Sequence, residues 1–214
     1  MSEKLLVLGG GGHAQVVMEA MVSLDWRERI LGILDADPDH VAENPYEIPV
    51  LGTDAELDRF PPAFAQLVNG LGQVGKDHHR EMLFRELQQR GYRFPSLVHP
   101  DAVVARGVRV GAGAQIMAGA VVQVGSVVGD NAIVNTGAVV DHDGAIGAHA
   151  HVGPGAVLCG GVKVDEGALV GAGATIIQGV HVGRHAVVGA GAVVVRDVAE
   201  GARMVGVPAR ELPE

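Results

Sequence analysis

The sequence predicts an α/β, Rossmann-like βαβ domain at the amino terminus, followed by a parallel β solenoid. Three observations support this fold class. Residues 103–198 form an unbroken six-residue repeat, and glycine supplies 32 of the 214 residues while aromatic residues make up only 3%. Residues 1–97 instead alternate between strand-like and helix-like segments. A glycine-rich, aromatic-poor repeat is typical of a stacked β architecture rather than of an ordinary globular core.

The amino-terminal segments predict three strands and two helices. The strands are expected in KLLVLGG, RILGILDAD and FAQLVNGLG, and the helices in GGHAQVVMEAMVSL and KDHHREMLFRELQQRGY. This order is a βαβ-type unit. We place a domain boundary after residue 97, the solenoid at residues 98–200 and a carboxy-terminal tail at residues 201–214.

A glycine pattern lies between the first predicted strand and the first helix. Gly9-x-Gly11-x-x-Ala14 fits the dinucleotide fingerprint, and Asp35 follows about twenty residues later. Glycines let backbone amides approach a phosphate at the amino end of a helix. Because fewer than a hundred residues is short for a complete dinucleotide domain, we predict half of one.

The solenoid repeat begins at Val103 and continues through sixteen hexads to Val198 without an insertion. Val, Ile or Leu occupies the second position of every hexad, and the sixth position is small or Val. A six-residue period fits neither an α-helix nor a flat strand. It fits stacked short strands that each direct one aliphatic side chain inward. Side chains at the first position should therefore point outward.

Charge and composition exclude several classes of partner. The net charge is −9 and no block of Lys and Arg occurs, so nucleic acid is not an expected partner. A single cysteine, Cys159, rules out an internal disulfide framework and favours the reducing cytoplasm. The first residues lack a secretory apolar core, and no apolar run is long enough to span a bilayer, so no membrane insertion is expected.

Ionisable residues interrupt the aliphatic repeat at residues 141–151. Asp141, His142 and Asp143 occupy a turn, and His149 and His151 follow. A turn imidazole with a pKa near 6.5 can accept a proton at neutral pH, and Asp143 could orient its ring. Alternatively, these residues could be metal ligands or surface decoration.

Four motifs together resemble a known family. They are Gly-Gly-Gly-Gly-His-Ala at residues 9–14, Asn135-Thr136-Gly137, Asp141-His142-Asp143 and the Gly-Val-Pro-Ala-Arg ending at residues 206–210. The chain resembles the hexapeptide-repeat sugar acyltransferases of the sialic acid O-acetyltransferase type. It is most similar to the bacterial nucleotide-amino-sugar N-acetyltransferases, including the GDP-perosamine N-acetyltransferases. The resemblance covers the whole chain.

The resemblance implies a left-handed parallel β-helix with three hexads per coil, assembled as a homotrimer. Taking every third hexad, the outer faces that contain Val103 and Gln115 are mostly apolar, and the face that contains Arg109 is more polar. Long exposed apolar stripes usually mark an interface.

The resemblance also implies an activity and its residues. The chain is expected to transfer the acetyl group of acetyl-CoA to the amino group of a nucleotide-linked deoxyamino sugar, by direct attack and with no metal. His142 would be the general base, Asp143 its partner, and Asn135 would orient the base or the sugar.

The remaining site residues are implied in two groups. The residues expected at acetyl-CoA are His151 beside the thioester, Gly160 whose N–H would face the acetyl oxygen, and Gly171, Ala172, Gly189, Ala190 and Arg210. The residues expected at the nucleotide sugar are Gly10, Gly11, Gly12, His13, Asp35, Ala36 and Gly72. We assign His149 to the surface.

Other functions fit parts of the sequence. A sugar O-acetyltransferase would share the fold, and a γ-type zinc carbonic anhydrase would use His142, His149 and His151 as ligands. A non-catalytic trimeric scaffold needs only the repeat, and an NAD-dependent oxidoreductase would rest on the glycine pattern alone. Cys159 raises the possibility of a covalent acetyl-enzyme, which the direct attack of the resembled family disfavours.

Overall fold

The structure is a computed structural model that describes residues 3–41, 44–73 and 78–212. Its amino-terminal domain is a parallel four-stranded sheet in the order β3-β2-β1-β4. The strands are β1 Lys4–Leu8, β2 Ile30–Leu34, β3 Val50–Gly52 and β4 Ala65–Asn69. The helices are α1 Gly12–Ser23 and α2 His79–Gln89, with short 3-10 turns at Arg27–Arg29, Pro38–His40 and Asp54–Arg59.

The sheet is buried between the two α-helices. Along β1, Leu5 and Val7 pack in the cluster that includes the apolar side of α1, whereas Leu6 and Leu8 pack in the cluster that includes Phe84 of α2. A parallel strand covered on both faces has no polar side, which explains why β1 is a continuous apolar run.

The predicted segments are all present, with shorter bounds. β1 ends at Leu8 because Gly9 turns the chain with φ +85°. The three-residue strand β3 was not predicted, since so short a segment carries no periodic pattern. The second helix begins at His79, and residues 76–77 of its predicted span lie outside the described residues.

The rest of the chain forms a left-handed parallel β-helix with three faces, which confirms the predicted fold class. The six-stranded face consists of Val103–Val104, Val121–Val122, Val139–Val140, Val157–Leu158, Thr175–Ile176 and Val193–Val194. The five-stranded face consists of Arg109–Val110, Val127–Val128, Ala145–Ile146, Lys163–Val164 and His181–Val182. The eight-stranded face consists of Leu97–Val98, Gln115–Ile116, Ile133–Val134, His151–Val152, Leu169–Val170, Val187–Val188, Arg203–Val205 and Arg210–Glu211.

Residues eighteen positions apart are stacked in neighbouring coils. Val139 pairs with Val157, and Ile133 pairs with His151, in the register that three hexads per coil require. The second-position aliphatic side chains and the sixth-position alanines fill the interior as one cluster. Each coil therefore buries the apolar side chains of the coil beneath it.

Turns join the three faces at three corners. We call the corner between the six- and five-stranded faces the base corner (residues 141–144 and 159–162). The corner between the five- and eight-stranded faces is the α2 corner (residues 129–132, 147–150, 165–168 and 183–186). The corner between the eight- and six-stranded faces is the glycine corner (residues 135–138, 153–156, 171–174 and 189–192). The fifth position of every hexad except the last turns with positive φ, which favours glycine, yet four non-glycine residues adopt it: Asn131, Asp143, His149 and His185.

The amino-terminal domain covers part of the eight-stranded face. The outer residues Gln115, Ile133 and His151 are all buried there, and Gln115 Nε2 donates to the carbonyl oxygen of Asn69 at 2.7 Å. One of the two apolar faces that we predicted as a subunit interface is thus packed against this chain's own domain, because the domain folds back over it. The six-stranded face stays uncovered, with Val103 60% exposed. No helix within the described ranges is both long and apolar enough to cross a membrane.

Candidate active site

His142 lies directly over Gly160 at the base corner. The two residues are eighteen positions apart and therefore stack in successive coils, and the N–H of Gly161 donates to the carbonyl oxygen of His142 at 2.8 Å. A Cβ atom built on Gly160 would lie 2.4 Å from Nε2 of His142. Only glycine leaves room for the imidazole in this position.

Asp143 fixes the orientation of that imidazole. Nδ1–H of His142 donates to Oδ2 of Asp143 at 2.9 Å, so Nε2 is left unprotonated and directed to the space above Gly160. Asp143 has φ +58°, a conformation that costs a non-glycine residue free energy and that turns its carboxylate to the ring. Asp141 holds the other side of the turn, because its Oδ1 accepts the N–H of His142 at 2.7 Å.

The hydrogen bond to Asp143, followed by the charge of Asp141, raises the pKa of His142 above its usual value of 6.5. We expect kcat/KM to fall as the pH drops through this raised pKa, since only the neutral ring can accept a proton. In Asp143→Asn the acid limb of a kcat/KM–pH profile should move to lower pH, and the plateau should fall about tenfold or more as ring orientation is lost. An acid limb that stays in place would show that Asp143 does not set the pKa of this base.

The backbone of Gly160, beside the His142 imidazole, offers a hydrogen-bond donor. Across the described residues its N–H has no acceptor, although Gly160 itself is buried under the imidazole. An unpartnered N–H next to an unprotonated ring nitrogen can stabilise negative charge that develops on a carbonyl oxygen while the ring takes a proton. The pair can therefore support acyl transfer.

A second polar group lies on the eight-stranded face. Nδ2 of Asn135 donates to Nε2 of His151 at 3.1 Å, and Nε2–H of His13 donates to Oε1 of Gln115 at 2.9 Å. Asn135 therefore orients His151 in this chain and makes no hydrogen bond to His142. Burial, followed by the positive charge of Arg80, lowers the pKa values of both His13 and His151 to about 4.

The structure does not bring His142 and His151 together within one chain. His142 is at the base corner, which is the corner opposite the eight-stranded face, and His151 is on that face. The packed interior of the β-helix separates them. If both act on one substrate, they belong to two different chains.

The two buried imidazoles predict a loss of stability in acid. Their pKa is about 4 in the folded protein, against 6.5 for an unperturbed imidazole, so the unfolded chain binds more protons between these values. Stability should be complete above pH 6.5 and should fall as the pH drops to 4, by at most about 3 kcal/mol for each histidine. Urea unfolding across this range tests the slope, which should be smaller in His151→Gln. A free energy of unfolding that is constant from pH 6.5 to 4.5 would contradict it.

The glycine loop before α1 is shaped by Asp35. The N–H of Gly10 donates to Oδ2 of Asp35 at 2.6 Å, and Asp35 Oδ1 accepts the N–H of Asp37. The amino end of α1 is open, because added Cβ atoms on Gly11 and Gly12 would meet nothing within 4 Å. Such an end can bind an anion.

The other residues expected at the nucleotide sugar lie around this loop. A Cβ atom on Gly72 would lie 3.4 Å from Cβ of His13, so these two predicted residues are neighbours. Ala36 is exposed next to Asp35. The predicted nucleotide-sugar residues thus form one group at the carboxyl ends of β1, β2 and β4.

Four of the positions expected at acetyl-CoA, namely Gly171, Ala172, Gly189 and Ala190, stack along the glycine corner. Gly171 and Gly189 are one coil apart, and Ala172 and Ala190 are exposed beside them. A Cβ atom on Gly171 would lie 2.5 Å from the backbone nitrogen of Ala190, so coil stacking alone requires glycine there. Arg210 is exposed and donates to the carbonyl oxygen of Ala209.

Our assignment of His149 to the surface is wrong. His149 is only 5% exposed at the α2 corner, where its Nδ1 accepts from Nδ2 of Asn131 at 3.0 Å and its ring packs edge-on against Phe84 of α2. The repeat places it at a turn, and a turn is exposed only where no other element covers it. Here α2 does.

The polar contacts that join the two domains could not be recognised in the sequence. Arg80 is buried and donates to the carbonyl oxygens of Asn69, Leu71 and Asn131. Burial lowers its pKa to about 9. The available signal was the replacement of glycine by Asn131 and His149 at fifth positions eighteen residues apart.

Comparisons with known proteins agree with this architecture. The family described as the PglD N-terminal domain matches residues 4–87, and the bacterial transferase hexapeptide family (six repeats) matches residues 143–178. The comparison with curated proteins finds no match.

Solved structures match the chain along its whole length. PerB from Caulobacter crescentus, crystallised with CoA and GDP-perosamine, is 39% identical with a TM-score of 0.89, and the match covers 100% of this chain and 99% of PerB. The acetyltransferase domain of PglB from Neisseria gonorrhoeae FA1090, crystallised with acetyl coenzyme A, is 37% identical with a TM-score of 0.88, covering 99% and 100%. WeeI from Acinetobacter baumannii AYE, 23% identical with a TM-score of 0.79, covers 99% and 100% and shares the fold.

Proposed function

Because this chain belongs to the hexapeptide-repeat acetyltransferase family of PerB and PglB, we propose that it acetylates the amino group of a nucleotide-linked amino sugar with acetyl-CoA. The observation that carries the proposal is the stacking of His142 over Gly160. It brings Nε2, which is unprotonated in the neutral ring, to the backbone of Gly160, whose N–H could donate to a carbonyl oxygen during acyl transfer.

In the proposed mechanism, Nε2 of His142 removes a proton from the sugar nitrogen as that nitrogen attacks the thioester carbonyl carbon. The Gly160 N–H donates to the carbonyl oxygen while it carries negative charge. A carbon–nitrogen bond forms, the carbon–sulfur bond breaks, and the proton on His142 passes to the departing thiolate of CoA. Asp143 stabilises the imidazolium between these two transfers.

We propose that the nucleotide is bound by the loop before α1. The open backbone of Gly11 and Gly12 at the amino end of α1 suits a phosphate, and Asp35 holds the loop through Gly10. His13 and Gly72 lie on the side of this loop that faces the β-helix. The domain would thus hold the nucleotide while the sugar extends to a catalytic corner.

The homotrimer is part of this proposal. In one chain the base corner and the glycine corner lie on opposite edges of the six-stranded face, so a groove that uses both needs two neighbouring chains. The apolar outer residues of that face, including Val103, Val121 and Val139, suit burial between subunits. A cytoplasmic location stays a prediction.

The substrate class is tested with purified protein, acetyl-CoA and a panel of GDP-, UDP- and dTDP-linked amino sugars, with free amino sugars and sialic acid as comparisons. We expect CoA release with nucleotide-linked amino sugars only, and a product whose acetyl group is an amide, identified by mass spectrometry and NMR. Acetylation of a hydroxyl on free sialic acid would instead establish the O-acetyltransferase alternative.

The carbonic anhydrase alternative has no support in the described part of the chain. His142 lies at the base corner, His149 at the α2 corner and His151 on the eight-stranded face. They form no cluster within metal-binding distance of one another among these residues.

Substitution of Cys159 tests the alternative route through a covalent acetyl-enzyme. It neighbours Gly160 and is partly buried, but direct attack gives its thiol no role. We expect Cys159→Ala to retain kcat within about a factor of two and to form no acetylated protein detectable by intact mass spectrometry. Loss of activity in this variant, or an acetylated wild-type chain after incubation with acetyl-CoA alone, would establish a covalent route.

A further inference from the structure

We propose that His78, Glu81 and His185 bind a divalent transition metal ion that ties α2 to the β-helix. The ligand atoms of these three side chains lie within 4.8 Å of one another. Glu81 lies in the first turn of α2, and His78 is the residue just before this helix. His185 belongs to a turn at the α2 corner. This site lies outside the catalytic groups described above.

His185 is the least explained residue of the β-helix. Its φ of +53° is strained for any residue except glycine, and Gly167, one coil below, is the usual occupant of this turn position. The other three non-glycine residues at this position have identified partners: Asp143 binds His142, and Asn131 and His149 bind each other.

His185 forms no comparable side-chain hydrogen bond that would offset the free-energy cost of its backbone conformation. Its Nδ1 is buried without a hydrogen-bond partner, and its ring packs edge-on against the ring of His78 with centroids 4.6 Å apart. A buried polar atom without a partner costs free energy. The imidazole at this position therefore destabilises the fold in two ways, through its backbone conformation and through its unpartnered Nδ1. A metal ion bound at the nitrogen atoms of the two rings would account for the imidazole at this position.

The third side chain is already positioned. Oε1 of Glu81 accepts from Nε of Arg85 at 2.9 Å, which leaves Oε2 directed to Nδ1 of His78 at 3.9 Å. Two imidazoles and one carboxylate are a known ligand set for zinc, with a water molecule completing the tetrahedron. Ligand atoms around zinc are about 3.3 Å apart, given bond lengths of about 2.1 Å, so shifts of about 1 Å would close the site.

Charges around the site set its expected strength. Arg80 lines the same small cavity as His78 and Glu81, and Arg85 binds the Glu81 carboxylate, and both arginines disfavour a cation. Glu166, which binds Arg85 at 2.8 Å and also pairs with Arg184, offsets part of that charge. We therefore expect a structural ion of moderate affinity that stabilises the contact between domains and is not consumed in the reaction.

The experiment uses the full-length, untagged protein and Zn²⁺ alone. Equilibrium dialysis should give one Zn²⁺ per chain, and Zn²⁺ at a hundredfold excess over its Kd should raise Tm by about 5 °C. His185→Gly should lose both effects, and it should still fold because glycine suits this turn. Co²⁺ should give visible absorption bands in the wild type that are absent in His185→Gly.

Two further variants keep the test specific. Glu81→Gln preserves the shape of the third ligand and should weaken binding, whereas His181→Ala removes an exposed imidazole paired with Asp165 and should leave binding unchanged. The proposal is overturned if the wild type binds no Zn²⁺, or if His185→Gly keeps the same stoichiometry and the same rise in Tm. Equal loss in His181→Ala would also overturn it, because binding would then be adventitious.

Discussion

We expect His142→Ala to lower kcat by about two to four orders of magnitude, because it removes the imidazole that we propose takes the proton from the attacking nitrogen. The side chain of His142 is 51% exposed and packs only over the turn at Gly160, outside the apolar interior, so the substitution should leave Tm and the assembly state unchanged. The measurement is steady-state kinetics with acetyl-CoA and the best sugar substrate from the panel described above.

The matched control for this loss is Asp141→Asn. Asp141 lies in the same turn and its Oδ1 binds only the N–H of His142, a contact that the asparagine oxygen can keep. We expect a loss of about tenfold or less, since only a charge near the base is removed. If His142→Ala were nearly as active as the wild type, the base would have to be assigned to another residue.

Gly160→Ala should reduce kcat by about a hundredfold or more, through the same imidazole. The new Cβ atom would lie 2.4 Å from Nε2 and 2.6 Å from Cε1 of His142, so the ring must rotate away from the reacting atoms. A displacement of about 1 Å at a catalytic group can cost a hundredfold in rate. Kinetics in parallel with Cys159→Ala, a change at the adjacent residue, separates this effect from general disturbance of the turn.

The structure of Gly160→Ala gives the second readout for this variant. A crystal structure should show His142 in a different rotamer, with its hydrogen bond to Asp143 broken or lengthened. Activity within a few-fold of the wild type would mean that the reaction does not use the space above Gly160.

The β-helix could be predicted almost completely because its physics is local and repeated. One aliphatic side chain in every six residues fixes the register, and the register fixes which residues share a face and which share a turn. His142 was correctly expected in a turn for this reason, and Gly160 lies in the corresponding turn of the next coil. Their roles came from resemblance to a family, because the repeat by itself shows only that these positions are outside the core.

The contacts between the domains could not be predicted in the same way. Nothing in the repeat shows which corner α2 will cover, so His149 was assigned to the surface although it is buried against Phe84. Arg80 belongs to a helix whose pattern suggests a solvated polar face, yet three backbone carbonyl groups from both domains surround its guanidinium. Such long-range pairings depend on how the finished domains fit together.

The eighteen-residue coil also fixes the distance, along the β-helix axis, between the amino-terminal domain and His142. Successive coils are about 4.8 Å apart, and the amino-terminal domain is fastened to fixed coils through Asn131, His149 and Gly167. The height of the proposed base relative to the proposed nucleotide site is consequently set in whole coils. A relative with one coil more or fewer between these points would have its reach changed by a sugar-sized step, without any change in the catalytic residues.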